Sequence, residues 1–459
     1  MVTKAFPYQL EDVERMEQLG GRVLNTNSMG TGKSLETLLF AHRNPHIRPV
    51  IIVCPASLRW NWQNECIHHY NIMAEVLEGM NPKKHHIDKK RRFFIINYDI
   101  LRGWMEFLKS IDPQLIILDE SGSFLGSTKT IRTRQVRKLC KNVPHVLALS
   151  GTPFTSRPAQ LWPTLNILAP HKFPSFFPFG LTFCDGKKTP YGWTFTGATK
   201  LKELHRLLKP IMIRRKKEDV LKDLPPKSRH IVLVDIEQRE EYDREKAQFI
   251  KWLRINASKD GDMFSKLRIE RDAKMGSLKR MAGELKLPST IEWIQSFLEG
   301  TNDKLIVYGI HRAVLGTVRK AFPRIHAFVD GSVTGRDRHK EFTKFVKDKR
   351  TRLFIGNIIA AGTGWNATGC SNVVFIEYDW NPANHIQGED RTSGINRGVK
   401  GIPSTAYYLT AKGTLEESIA GRIQEKQKNL DTVLDNGKVI QTLNVFDLLT
   451  KQLLEESGK

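Results

Sequence analysis

The chain runs to 459 residues, too long for one ordinary core and long enough for two domains or three. Hydrophobic residues make up 40% of it and charged residues 26%, a globular balance that excludes a disordered chain. Against 49 Asp and Glu stand 72 Lys and Arg, a formal charge of +23. Such an excess points to a polyanion, most often nucleic acid, with charge kept for solubility as the plainer alternative.

The first element in chain order is a strand-like "RVL", followed by "NSMGTGKS" (27–34) and a helix-like "LETLLFAHR". Gly30 and Gly32, on either side of Thr31, let backbone N–H groups close round a phosphate, and the helix N-terminus adds its dipole. In such a P-loop Lys33 reaches the β/γ-phosphates of ATP and Ser34 holds Mg²⁺. Asn27 stands where the full consensus has its first glycine. Next come "RPVIIVCP", "RRFFIINY" and "LIILDES" (115–121), the last an apolar strand ending in two carboxylates. Asp119 is expected to bind Mg²⁺ through water and Glu120 to polarise the water that attacks the γ-phosphate. An ordinary acidic strand end is the alternative; a P-loop upstream favours the catalytic reading. "HVLALSG" then ends in "SGTP" (150–153), whose small hydroxyl residues suit a relay from a nucleotide site.

"LPPK" (224–227) breaks the chain and marks a linker. Residues 232–290 are rich in Glu, Lys, Arg and Leu, with Tyr242, Phe249, Trp252 and Leu253 on one helical stripe that reads as core packing. A second strand series follows: "DKLIVYG", "RIHAFVDG", "TRLFIGN", "NVVFIEYD" and "TAYYLT". Most runs in both series are continuously apolar, as in strands covered on both faces of a parallel sheet. Two such series predict an α/β protein with two doubly wound lobes: 1–228, a helical insertion at 229–300 that opens the second lobe, and 301–459.

Cys54, Cys66, Cys140, Cys184 and Cys370 are odd in number and never in a CxxC pair, which argues against a disulfide framework and a zinc site. Four of them lie in or beside apolar runs, as small core residues do. No apolar run reaches the ~20 residues that span a bilayer, and "MVTKAFPYQL" lacks the apolar stretch of a secretion signal. An intracellular, soluble protein is expected.

The order and spacing of these motifs resemble a superfamily-two helicase core, and the Swi/Snf-type branch in particular. "PYQ" (7–9), "CPASLRWNWQNE" (54–65), "NYD" (97–99), "RRKKEDVLKDLPPK" (214–227), "AAGTGWNAT" (360–368) and "EYDWNPANHIQGEDR" (377–391) carry the likeness across nearly the whole chain. The resemblance implies two RecA-like lobes and an ATP-dependent translocase or remodelling motor on double-stranded DNA. It implies nucleotide contacts from Gln9, at the adenine edge, from Gly30, Thr31, Gly32, Lys33 and Ser34, and from Gly364 and Gln387. Segment 183–217 resembles the annealing-helicase subgroup, whose members rewind DNA strands and remodel forks, so branched or forked DNA is the finer expectation. The compact motor core resembles bacterial or phage members and implies a cytoplasmic setting, or the nucleus in a eukaryote. "KKHHIDKKRR" (83–92) and the Arg/Lys set at 268–280 are candidates for gripping phosphates, with a solvated face as the plain alternative.

The chain departs from the family twice. The sixth motif, Gln-x-x-Asp-Arg-x-x-Arg, is met by Gln387, Asp390 and Arg391, but Gly394 fills the second arginine position. The second motif, Asp-Glu-x-His, becomes Asp119, Glu120, Ser121 and Gly122. Arg391 is therefore the first choice for the arginine that stabilises the transition state, with Arg397 as its substitute. Gly122 and Gly394 also leave room for a rival: a nucleotide-gated DNA-binding protein whose hydrolysis has decayed. Lys33, Asp119 and Glu120 oppose that reading. RNA unwinding fits the core chemistry but not the Swi/Snf-type motifs.

Overall fold

The apolar runs without alternation become the strands of two parallel sheets. The computed structural model describes residues 3–453 except 85, 89, 152–156, 191, 222–226, 258–266, 334, 363–364, 394–401 and 421–452. Contacts divide the chain into two units, one drawn mainly from residues up to Leu224 and the other mainly from residues after it.

In the first unit the strands are β1 (Arg22–Asn25), β2 (Val50–Cys54), β3 (Glu75–Val76), β4 (Phe93–Asn97), β5 (Leu115–Leu118) and β6 (His145–Leu149). A small hairpin, β7 (Lys187–Thr189) and β8 (Gly192–Thr194), precedes β9 (Met212–Ile213). The sheet has seven strands in the order β3-β4-β2-β5-β6-β1-β9, and every pair is parallel. β2 shows why its sequence lacks alternation: Ile51 and Val53 join Phe94, Trp104 and Leu118 on one face, while Val50, Ile52 and Cys54 join Leu38 and Trp62 on the other. Side chains of period two fill both faces, so every position is apolar.

The second sheet comprises β10 (Lys227–Val234), β11 (Leu305–Gly309), β12 (His326–Val329), β13 (Leu353–Asn357), β14 (Asn372–Phe375) and β15 (Ser404–Ala411), in the order β10-β15-β14-β11-β13-β12. Here too all pairs are parallel. The insertion expected at 229–300 needs one correction: it opens on a strand. β10 runs beside β15 from Lys227↔Ser404 to Val234↔Ala411. It is an edge strand with Ile231 and Leu233 exposed, and four of its residues are polar or charged, so it lacks the pattern of a doubly covered strand. Helices Arg239–Ala257, Arg268–Leu285 and Leu287–Gly300 follow. Tyr242, Phe249 and Leu253 are buried in one core with Ile306 and Tyr308, and Trp252 packs against it, as the stripe predicted. All five cysteines are buried thiols. Among the described residues no helix is long and apolar enough to cross a membrane.

Candidate nucleotide site

β6 lies between β1 and β5, with Asn25 opposite Leu149 and Leu118 opposite Ala148. Parallel strands end on the same side, so the segments after Asn25, Leu149 and Leu118 leave one edge of the sheet together, where ligands of open α/β sheets bind. Those segments are the P-loop, Ser150–Gly151 and Asp119–Glu120.

The P-loop turns through Gly30 (φ +79°) and Gly32 (φ +90°), left-handed conformations that glycine adopts without steric cost, and enters helix α2 (Lys33–Arg43). The Lys33 Nζ donates to the carbonyls of Asn27 at 2.7 Å and Ser28 at 3.1 Å, folding the ammonium back over the loop. Ser34 sits in the first turn of α2, partly exposed. Gly151 is where the neighbouring strand makes room: a Cβ there would stand 2.7 Å from Met29 Cγ and 3.6 Å from Lys33 Nζ. Thr152 and Pro153 of "SGTP" lie outside the described residues.

Helix α1 (Pro7–Gln18) holds the loop from outside. The Tyr8 hydroxyl and the Gln9 Nε2 both donate to the Thr31 carbonyl, at 2.6 and 2.9 Å, and Gln9 Oε1 accepts from the Phe6 N–H at 2.9 Å. Gln9, expected at the adenine edge, is buried here with each end of its amide engaged by the protein.

Asp119 closes the opposite side. Its Oδ2 accepts from the indole N–H of Trp62 at 2.8 Å and its Oδ1 from the Glu120 N–H at 3.0 Å. Burial pushes the Asp119 carboxyl above the ordinary range, while the Trp62 hydrogen bond and the Lys33 charge pull it back. Tyr98 donates to the Asp119 carbonyl at 2.7 Å, anchoring the backbone. Glu120 has φ +51°, a left-handed turn uncommon outside glycine and of the kind found at functional sites. Ser121 donates to the Leu149 carbonyl at 3.2 Å, and Gly122 is buried in the short helix Ser121–Phe124. Sequence reasoning did not single out Trp62 as a site residue; the signal that could have found it is its place inside "CPASLRWNWQNE" (54–65).

A buried polar cluster was also missed. Asn27 Nδ2 donates to Asp12 Oδ2 at 2.8 Å and to Glu36 Oε2 at 3.2 Å, Asn25 Nδ2 donates to Glu36 Oε2 at 2.6 Å, and Arg215 Nε donates to Asp12 Oδ1 at 2.6 Å. The residue that looked like a lost glycine therefore braces the P-loop between α1 and α2. Burial, then the Asp12 charge, pushes the Glu36 carboxyl up to about 8, against the pull of Asn25, Lys33 and Asn27. Because this value lies above the unfolded 4.5, the fold binds more protons than the unfolded chain between the two, and stability falls as pH rises through that window. Glu36→Gln, which removes the titration, is expected to be close to neutral near pH 5 and stabilising at pH 9. Denaturant unfolding at both pH values checks this; an unchanged pH dependence contradicts it.

In the second unit, helix Pro382–Glu389 is capped by the Asn381 side chain, which accepts from the Ala383 N–H at 3.1 Å. Gln387 is buried. Arg391 is buried as well, its Nε donating to the Gln387 carbonyl at 3.0 Å and its Nη1 to the Trp365 carbonyl at 2.7 Å. The arginine chosen for phosphate thus braces the motifs of its own lobe. Glu389 lashes the same helix to β10 and β15: it accepts from Arg229 at 2.7 Å and Lys227 at 3.1 Å on β10, and from the Tyr408 hydroxyl at 2.7 Å on β15. Burial alone would raise its carboxyl, but the Lys227 and Arg229 charges bring it down to about 2. Gly364, Gly394 and Arg397 lie outside the described residues.

The Arg/Lys set at 268–280 is not an unbroken cationic face. Arg271 and Lys279 are each 4% exposed, Arg271 paired with Asp272 at 2.9 Å and Lys279 over the Trp380 ring at 4.8 Å. Helical geometry explains it, because residues eight apart share a face and this one packs inward. Within 83–92, Arg91 pairs with Asp88 at 3.0 Å.

Residues 10–280 match the SNF2-related domain and residues 289–395 the helicase conserved C-terminal domain. A SWI/SNF-related matrix-associated actin-dependent regulator of chromatin subfamily A-like protein 1 from Xenopus laevis is 32% identical over 94% of this chain and 44% of its own length. The DNA annealing helicase and endonuclease ZRANB3 of Mus musculus is 27% identical over 95% of this chain and 41% of its own. The chain therefore spans less than half the length of these curated relatives, which are animal proteins and lend no support to a bacterial or phage setting. Among solved structures, the Sulfolobus solfataricus SWI2/SNF2 ATPase core in complex with dsDNA aligns at 21% identity and a TM-score of 0.45, covering 98% of this chain and 96% of that one.

Proposed function

The chain belongs to the SNF2-related family of helicase-like ATPases, and we propose that it is an ATP- and Mg²⁺-dependent motor that tracks double-stranded DNA and remodels it without conventional strand separation. The observation that carries this reading is the convergence of the P-loop, Lys33, Asp119 and Glu120 on one edge of a parallel sheet. The donor set fits a nucleoside triphosphate: two left-handed glycines lead into a helix N-terminus. Lys33 would exchange the Asn27 and Ser28 carbonyls for phosphate oxygens. Ser34 and Asp119 would hold Mg²⁺, which neutralises phosphate charge when bound. Glu120 orients and polarises the attacking water. Trp62, through its grip on Asp119, keeps that carboxylate in place.

The finer proposal, strand annealing or fork remodelling, rests on the likeness of 183–217 to the annealing-helicase subgroup and on the relative named a DNA annealing helicase. ATP turnover measured without nucleic acid and with duplex DNA, single-stranded DNA or RNA tests the main reading. Duplex DNA should stimulate most. Equal stimulation by RNA, or none by any of them, overturns it.

Lys33→Ala is expected to abolish turnover while leaving duplex affinity within a few-fold, since phosphate grip and DNA grip draw on different residues. Equal loss of both would mean a folding defect. Duplex binding should weaken steeply with salt, log K falling with a slope of about −0.9 per phosphate contacted. A flat dependence between low and physiological salt would contradict phosphate tracking.

A further inference from the structure

The nucleotide chemistry makes no use of an aromatic surface on the first unit. Helix Phe176–Phe183 ("FFPFGLTF") buries Phe179, Gly180 and Phe183 but leaves Phe177 44% and Leu181 40% exposed. The β7/β8 hairpin brings a third exposed apolar side chain to the same place, Trp193, 44% exposed. Phe177 meets the Trp193 ring edge-on with centroids 5.2 Å apart, and Trp193 lies parallel to Phe195 at 6.4 Å. Phe195 is the anchor. It fills seats left by two glycines: a Cβ at Gly180 would stand 2.6 Å from its ring, and one at Gly186 2.9 Å. The hairpin is thereby locked to the helix and the exposed rings are held in place.

Charge lies on the same face. Lys188 is directly opposite Trp193 in the hairpin register, so the two side chains project to one side, and both are exposed. Lys187, on the other side, pairs with Asp185 at 2.7 Å. A fixed indole face with an ammonium beside it, on a chain of charge +23, has the chemistry that receives unpaired bases: rings stack and the cation takes the phosphate. Inside a duplex the base faces are stacked on one another, leaving phosphates and base edges to a protein. We propose that the Phe177–Trp193–Lys188 surface binds unpaired nucleotides of single-stranded DNA, the class of substrate exposed where a remodelled duplex opens. The proposal rests on the DNA-motor reading and deepens it.

The test uses the full chain with a labelled oligo-dT, a blunt duplex and a forked duplex bearing single-stranded arms. Trp193→Ala and Phe177→Ala should each weaken oligo-dT binding by ~5- to 150-fold, the range for one stacked ring, and remove any preference for the fork over the blunt duplex. Duplex-stimulated ATP turnover should stay at the wild-type level, which also shows that the variants fold. Trp193→Phe should recover part of the affinity, and Lys188→Ala should reduce its salt dependence. Oligo-dT affinity unchanged in Trp193→Ala, alongside wild-type duplex stimulation, overturns this proposal and leaves the motor reading standing. Self-association that Trp193→Ala abolishes, with oligo-dT binding unaffected, assigns the surface to a second copy and overturns it too. A wild type indifferent to every DNA sinks the motor reading and this one with it.

Discussion

Glu120→Gln is expected to bind ATP as the wild type does and to hydrolyse it ~10²–10⁴-fold more slowly, the usual worth of a positioned general base. The amide matches the carboxylate in shape, so the left-handed turn at residue 120 (φ +51°) and the 3.0 Å backbone hydrogen bond to Asp119 Oδ1 are preserved. What is lost is the negative charge that draws a proton from water. Asp119 is not expected to take over, because its carboxylate, oriented by Trp62 and the Glu120 N–H, is the one proposed to hold Mg²⁺, which lowers its basicity. Single-turnover hydrolysis, with nucleotide affinity followed by a fluorescent ATP analogue, separates the two effects. Turnover within a few-fold of wild type would remove Glu120 as the base.

The largest effect is expected at the arginines. A guanidinium aimed at the transferring phosphoryl group is worth ~10³–10⁵ in rate when fully engaged. We propose Arg391 as the main contributor with partial help from Arg397, Gly394 having vacated the family's second position. Arg391 has a second duty, since it donates to the carbonyls of Gln387 and Trp365 inside its own lobe. Truncating it leaves buried acceptors unpaired, at a cost of ~1–3 kcal/mol. Arg391→Ala should therefore lose both DNA-stimulated turnover and thermal stability, whereas Arg397→Ala should lose turnover alone and less of it. Gly394→Arg should raise turnover if that position is merely empty. Measured side by side at a temperature where all three stay folded, these variants decide the matter. Full activity in Arg391→Ala assigns the residue to bracing only. A nearly dead Arg397→Ala with a neutral or harmful Gly394→Arg moves the finger to Arg397.

Much of this molecule is determined locally. Short, continuous apolar runs rich in β-branched residues, such as Val50–Cys54, fit a strand covered on both faces, so the two parallel sheets are legible without a structure. Gly30 and Gly32 specify left-handed turns, and Lys33, Asp119 and Glu120 follow from their places at a helix start and a strand end. These features depend on backbone geometry and on side-chain period, which neighbours in sequence encode. Partnership is different. Trp62 meets Asp119 across 57 residues and Arg215 meets Asp12 across 203, and nothing in either local sequence names its mate. Asn27 read as a missing glycine until Asp12 and Glu36 closed round its amide. β10 read as the start of a helical insertion because an edge strand carries polar residues, and only its pairing with β15 and the Glu389 ion pairs make it part of the sheet. In sequence Arg391 reads as the arginine for the phosphoryl group and Lys279 as one of a set that grips DNA phosphates. Tertiary packing buries both, because a long side chain with carbonyls or an aromatic ring in reach finds its partners inside the lobe.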